Sequence, residues 1–458
     1  VVSLINDRPS ASADAKATST GTAIGGSVVI ANFENNSDAW IGDLAEVDAR
    51  GAIRVDAQTH IPYPWQIDWS SPAVILNHLQ GNLLDLVLTT FALNSASGKS
   101  GLGLAAAVTV FTLENNSNAW VGEGAKLNTF YDNTVDPLLD LSGQSVTVYA
   151  KNDVNTVNAV GILSKKFLGN SGGKAAIGGS ANVLDISGEA VAGIRDGAEV
   201  RAEQDVEVKA ESNNQMVTVT EAGGSSDQVG IEGALSMNTV RTDTIAYIDD
   251  KAKVDAGKNL TLDADSEIRT ISVAGGIVVT KGPVGIGLSV SLNTLDADVR
   301  AFIGNRDPLL DLAPATGIIK VGDNLTLAAM ADTEISAYSL AGAVATSSKS
   351  QTDVPAGAGE TQDGSSSAAV AGSGSSSGGS AGSGSSGGGA GSGTGKGKFG
   401  IAVSGDASVN DIEADTLAYI SSGVQVQQAD NVSVTADNTL DINALSGAVT
   451  ISTQQDGN

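Results

Sequence analysis

Two histidines, His60 and His78, and no cysteine stand among the 458 residues of this chain. A zinc or copper centre draws on imidazole and thiolate ligands, so little is present to build one. A Ser-His-Asp arrangement would have to use one of those two histidines, and no GxSxG turn carries a nucleophilic serine. GLGLAA at 101–106 matches the weak form of the dinucleotide fingerprint, but a β-type alternating run follows it, not the helix that would hold a pyrophosphate. Gly173-Lys174, Gly395-Lys396 and Gly397-Lys398 lack both the upstream glycine and the following hydroxyl of a phosphate loop.

Carboxylates are the abundant chemistry. Asp263, Asp265 and Glu267 in LDADSE, and Asp296 with Asp298 in LDAD, sit at alternate positions that project from one strand face. Such a row suits Ca2+, yet neither the GGxGxD nonapeptide nor the helix-loop-helix calcium loop is present. Solvated turn carboxylates are the simpler reading. No metal and no cofactor is expected, Ca2+ not being indicated by a motif. A polysaccharide lyase or hydrolase needs acids gathered at one place, with a basic residue as clamp or proton acceptor. Here the acids are spread over the whole chain. Glu34 and Glu114 stand in two near-copies of one phrase, FENNSDAWIG and LENNSNAWVG, and a catalytic acid duplicated in this way would be unusual. The chain is therefore not expected to be an enzyme.

The aromatic residues form two groups. Tyr63, Trp65 and Trp69 lie in the Pro-rich stretch 60–85, beside Gln66 and Asp68. They are either a platform for sugar faces or a protein partner, or a flap over the side of a thin fold, and the flap is favoured. The second group recurs in register: Ala39-Trp40-Ile41, Ala119-Trp120-Val121, Ala246-Tyr247-Ile248, Ala301-Phe302-Ile303 and Ala418-Tyr419-Ile420. Ala192-Gly193-Ile194 is a sixth copy without its ring. Alternation puts Ala and Ile on one face and the ring on the other, so Trp40, Trp120, Tyr247, Phe302 and Tyr419 are expected as a lateral row on the outside of the fold.

The anchors define the elements that must position these side chains. Successive spacings are 80, 73, 54, 55 and 117, and the two short ones set a unit of roughly 55 residues. Fourteen residues after four of the anchors begins an apolar-x-apolar-x-Ala string, as in Val206-Val208-Ala210 and Leu260-Leu262-Ala264. In the second and fifth units the string comes later, and both carry the insert DPLLDL, at 136–141 and 307–312. Gly-rich alternating runs such as AIGGSVVIA and VGIGLSVSLN precede the anchors. Turn residues punctuate the units at RTD, DKA, AGKN, GDN and QQADN, which gives four or five short strands per unit.

Asn-Gly and Asp-Gly hairpin turns are scarce, so parallel coils are preferred to hairpins. The expected fold is all-β: a parallel β-helix of about six degenerate units with two excursions. Each unit is expected to make about two coils, and the stack to reach very roughly 60 Å. Asn238, Asn293 and Asn410 sit eight residues before their anchors and should form an amide ladder. The solenoid occupies 1–346, with the aromatic excursion at 60–85; a Ser/Gly-rich insert that cannot offset its ordering entropy follows at 347–398, and a last unit at 399–458.

Bulk properties narrow the partners. Lys and Arg number 25 against 52 acids, a net charge of −27, which disfavours nucleic acid and anionic lipid. No run of 18 apolar residues is present for a spanning helix, and no membrane insertion is expected. VVSLINDRPS does not read as a signal peptide, so the chain reads as mature or as a piece of something longer. Zero cysteine with repeated packing fits a large secreted bacterial protein.

The unit VGIGLSVSLNTLDADVRAFI…NLTLAA…EISAYSLAGAVA resembles the repeats of leukotoxin-type filamentous adhesins, very large secreted Gram-negative proteins similar in style to filamentous haemagglutinins. The likeness covers about residues 21–59, 100–346 and 397–452. It implies an extracellular or cell-surface shaft that holds an adhesive end away from a Gram-negative cell. The implied partners are further repeats or copies of the chain itself, with surface glycans and host or neighbour-cell proteins behind them. A filament subunit stacking head to tail is the first alternative, and a polysaccharide-active β-helix enzyme the second.

Overall fold

Alternation of small or branched residues with polar ones runs for about twenty residues at a stretch, and the chain folds as long strands wherever it does. The computed structural model describes residues 1–62, 89–130, 141–161, 170–306, 315–348, 368–370 and 400–455. Among them there is no helix. Three parallel sheets form a β-helix. The front sheet stacks Ala23–Ile41, Leu102–Val121, Ala175–Ile194, Val229–Ile248, Val284–Ile303 and Ile401–Ile420 in that order. A short sheet stacks Glu46–Val47, Lys126–Leu127, Glu199–Ala202, Lys253–Ala256, Ile318–Val321 and Gln425–Gln427. The back sheet is built mainly from Ile53–Ile61, Val146–Gly161, Val206–Ser226, Leu260–Thr280, Asn324–Ser348 and Asn431–Gln455. Val2–Asn6 and Ala11–Ser19 add a layer before the first full rung by pairing with Ile53–Ile61 and Thr90–Gly98.

One unit is therefore one coil, not two: a long front strand, a short corner strand and a long back strand. Six rungs at ~4.8 Å rise only about 24 Å from first to last, whereas a twenty-residue strand runs about 66 Å. The solenoid is broad and low, and the expected height of 60 Å belongs to its width. The unit holds three strands in place of four or five short ones because RTD at 241–243 is no turn. It lies inside Val229–Ile248, where Arg241 and Asp243 point outward and Thr242 is buried.

Turns occur at the corner between the front and short sheets. Ala45, Ala125 and Ala198 N–H groups each donate to the carbonyl three residues back, in Gly42, Gly122 and Arg195. The third turn residue is left-handed: Gly124 and Gly197 take φ of 63° and 67°, but Leu44 and Lys251 hold 57° and 56° with a side chain in place.

The main core lies at this corner. Ala39, Ala119, Ala192, Ala246 and Ala301 stack at zero exposure. Beside them Leu127, Val200, Val254 and Ile319 form a column in the short sheet. Polar ladders replace apolar ones further along the front strands. Asn238 Nδ2 donates to Asn293 Oδ1 at 2.7 Å, and Asn293 Nδ2 to Asn410 Oδ1 at 2.7 Å, so the expected amide ladder is present. A second joins Asn35 to Asn115 at 3.1 Å.

Ile53–Ile61 runs through His60 and Ile61, so strand structure enters the stretch assigned to the aromatic excursion, and Thr90–Gly98 resumes the back sheet. Residues 63–88, with Tyr63, Trp65 and Trp69, lie outside the described residues, as do 136–140 and 307–312 of the two DPLLDL inserts. Of the Ser/Gly-rich stretch assigned to 347–398, Ser347 and Ser348 belong to the fifth back strand, and Ala368–Val370 is described as a strand pairing antiparallel with Val449–Ile451.

Candidate functional site

The outer side of the front sheet changes character along each strand, and its chemistry gathers near the corner. The anchor register stacks the rings. Trp40 and Trp120 lie parallel with centroids 5.4 Å apart; Tyr247, Phe302 and Tyr419 stack at 5.6 and 5.3 Å. The rings sit on the outer side, opposite the buried Ala and Ile. Exposure falls along the row, from 51% at Trp40 to 1% at Phe302, which lies between two neighbouring rings. The expected uniform apolar stripe is thus open at Trp40 and closed at Phe302. Tyr419 Oη donates to the carbonyls of Asn305 and Arg306, tying the row to the segment after its fifth strand.

Gly193 breaks the row, and the break is filled from both sides. A Cβ on Gly193 would lie 2.2 Å from the Tyr247 ring, so the tyrosine occupies the space a side chain would need. Arg195 sets its guanidinium 4.3 Å from the centre of the Trp120 ring, a cation–π contact. Burial pushes the Tyr247 hydroxyl up from its ordinary value, against the pull of a hydrogen bond from Arg195.

Here the surface opens into a cleft of about 280 Å³, lined by Glu189, Arg195, Asp243, Tyr247, Asp249 and Arg306 among others. Four residues before the ring row, the sheet register stacks carboxylates. Glu189, Asp243, Asp298 and Asp415 occupy one column of consecutive rungs, spaced ~4.8 Å. Partial burial raises the Asp243 carboxyl above its ordinary value, and the charges of Asp298 and Glu189 add to it. Asp298 is raised by burial and by Asp415, against the opposing charge of Arg300, whose Nε lies 2.6 Å from Asp298 Oδ1. Asp249 is raised by burial and by Asp196. The arrangement offers rings, carboxylates and guanidinium groups at one opening, a donor and acceptor set suited to a polar ligand.

The other acidic row is internally balanced. Lys209 reaches Asp263 at 3.1 Å, and Arg269 reaches Glu267 at 2.8 Å. Burial, with Asp263 and Glu211 close by, raises Asp265. No three His, Asp or Glu side chains among the described residues are arranged to hold a metal ion. His60 Nδ1 lies 2.8 Å from Asp153 Oδ2, its neighbour in register on the next rung. Glu34 and Glu114 are register partners on the outer surface, as the duplicated phrase requires.

Sequence reasoning found the ring row but not Arg195, Glu189, Asp249 or Arg306. The available signal was the glycine at the sixth anchor, with an arginine two residues on. Neither a protein-family model, nor a curated protein, nor a solved structure matches the chain.

Proposed function

We propose that this chain is a structural segment of an extracellular shaft, part of a large secreted bacterial adhesin or surface fibre, and that it performs no enzymatic turnover. The observation that carries the reading is a stack whose pattern is open at its face. Val432, Val434 and Leu440 of the last back strand are 53%, 44% and 48% exposed. Their register partners one rung below, Leu325, Leu327 and Thr333, are buried. A further layer in the same register would bury them, and an unpaired strand edge is a template for such a layer. Either more repeats of one polypeptide or a second copy stacked head to tail supplies it.

The test is imaging and light scattering on the isolated chain beside Val434→Asp. Head-to-tail stacking predicts fibres that the substitution shortens to unstacked particles. Unstacked particles from both proteins favour continuation within one polypeptide. Fibres that Val434→Asp leaves at full length remove the end-stacking reading.

The cleft at Arg195 and Tyr247 favours one second reading, polysaccharide binding with hydrolysis or elimination, because Asp243 and Asp298 are adjacent carboxyl groups with raised proton affinity. Incubation with acidic and neutral polysaccharides is expected to release no reducing or unsaturated ends. Release that disappears in Asp243→Asn makes the chain an enzyme.

A further inference from the structure

The first half of each front strand carries its polarity inside out. Ile24, Leu104, Ile177, Ile231, Ile286 and Val403 form one column across the six rungs. They point outward: the positions flanking Ile231, Gly230 and Glu232, are buried, and Ile24 and Ile177 are 69% and 40% exposed. Columns two, four and six residues further on, and one two residues earlier from the second rung, contain only Gly, Ala, Val, Leu, Ile and Met. Leu235, Met237, Leu288 and Ile30 belong to them. The inward positions between carry Ser180, Asn182, Ser236, Ser289 and Ser291, all buried. A solvated sheet would show the reverse pattern.

At about 33 Å² of sheet per outward residue, these five columns cover roughly 950 Å² without a hydrogen-bonding side chain. The largest apolar patch of an ordinary monomer is about 300–600 Å², and a stable interface buries about 800 Å² on each partner. A flat face with no polar side chain selects another flat apolar face, and the same patch on a second copy is self-complementary about a two-fold axis.

We infer that two copies of this chain pair laterally, front sheet against front sheet, through these five columns. Charge sets the direction. On one side the columns give way to a column of Glu34, Glu114, Ser187, Arg241, Asp296 and Glu413, four acids to one base, and that base is paired with Asp185. On the other side lie the turns into the front strands, which carry Lys99, Lys174 and Lys281 against Asp227. A two-fold axis parallel to the solenoid axis reverses the strands and sets the acids of each copy opposite the lysines of the other. An axis parallel to the strands would set acids against acids in a chain of net charge −27. This pairing is independent of end-to-end stacking, because its residues lie on the broad side and not on an end rung.

The test is solution mass in the Val434→Asp background, where end addition is removed. A two-chain mass is expected, and Leu235→Asp with Leu288→Asp should reduce it to one chain with unchanged circular dichroism and melting. A one-chain mass before the face is altered, or a two-chain mass that survives the double substitution, overturns the pairing. A second variant avoids charge altogether. The chain has no cysteine, and nothing lies within 4 Å of a Cβ placed on Gly233 at the centre of the face. Gly233→Cys with a dithiol-reactive linker of about 10 Å, the spacing of packed sheets, should join two chains. Modification without a two-chain product overturns it. Lys174→Glu with Lys281→Glu should weaken association several-fold; no change overturns the orientation.

Discussion

Glu221 carries a charge that folding disfavours. Burial pushes its carboxyl up to about 7 from an ordinary 4.5. Its register neighbours are Gly161 and Gly275, so no cationic side chain lies beside it in the sheet. A carboxyl with a raised folded value is tolerated while it keeps its proton. Stability is complete below the unfolded value near 4.5, declines as pH rises towards 7, and then stays low. Glu221→Gln is therefore expected to stabilise the protein at pH 8 by up to about 3 kcal/mol and to leave it unchanged at pH 4. Denaturant melts at the two pH values check this, and equal effects at both would refute it. The anchor triplet gives a second comparison. Ile248 has zero exposure, and Ile248→Asp places an unpaired charge in the corner core, at a cost of about 3–5 kcal/mol. Tyr247 loses its stack on Phe302 and its seat over Gly193 in Tyr247→Ser, at a cost of about 2 kcal/mol. Losses of equal size in thermal melts would make the row part of the core.

At the scale of the element, the corner turn tolerates what its geometry does not favour. Leu44 holds a left-handed conformation that glycine holds in the equivalent turns at Gly124 and Gly197, and its side chain is 78% exposed. Leu44→Gly should relieve about 1–2 kcal/mol of backbone strain against about 0.5–1 kcal/mol of added unfolded-chain freedom, and so raise stability slightly. A lower melting temperature would show that Leu44 packs. The corners were legible in the sequence because the anchor Ala and the apolar string that follows it are inward and apolar. The long strands were less so. Arg241 and Asp243 read as a turn, yet a polar pair at alternate outward positions is also how a half-buried strand looks in mid-course. Alternation has no sign: it separates two faces without saying which is inside. Where Ser236 and Ser291 turn inward and Leu235 and Val290 outward, composition alone could not reveal the inversion. Nor could spacing bring Arg195 to the Trp120 ring, since rung register places it there.

At the scale of the molecule, a solenoid in which each rung touches only its neighbours distributes stability along the stack, and a long insertion between rungs costs little beyond loop closure. The connection from the back strand to the next front strand displays this. Between Thr280 and Val284 it takes three residues, Lys281, Gly282 and Pro283. The Lys281 N–H donates to the Ser226 carbonyl, and the Gly282 N–H to the Thr280 hydroxyl. The equivalent connection between rungs five and six contains the Ser/Gly-rich stretch, yet it joins strands that stay in register: Val284 pairs with Ile401 on one sheet and Thr280 with Ala345 on the other. Geometry therefore demands no more of this join than of the one below it. Replacing residues 350–395 by a short Gly-containing turn removes only the three-residue pairing of Ala368–Val370 at the edge of rung six, and should leave that rung stacked and the melting temperature within a few degrees. Loss of the last rung, detected as rapid hydrogen exchange confined to Ile401–Ile420 and Asn431–Gln455, would show that the insert contributes packing that a bare turn does not replace.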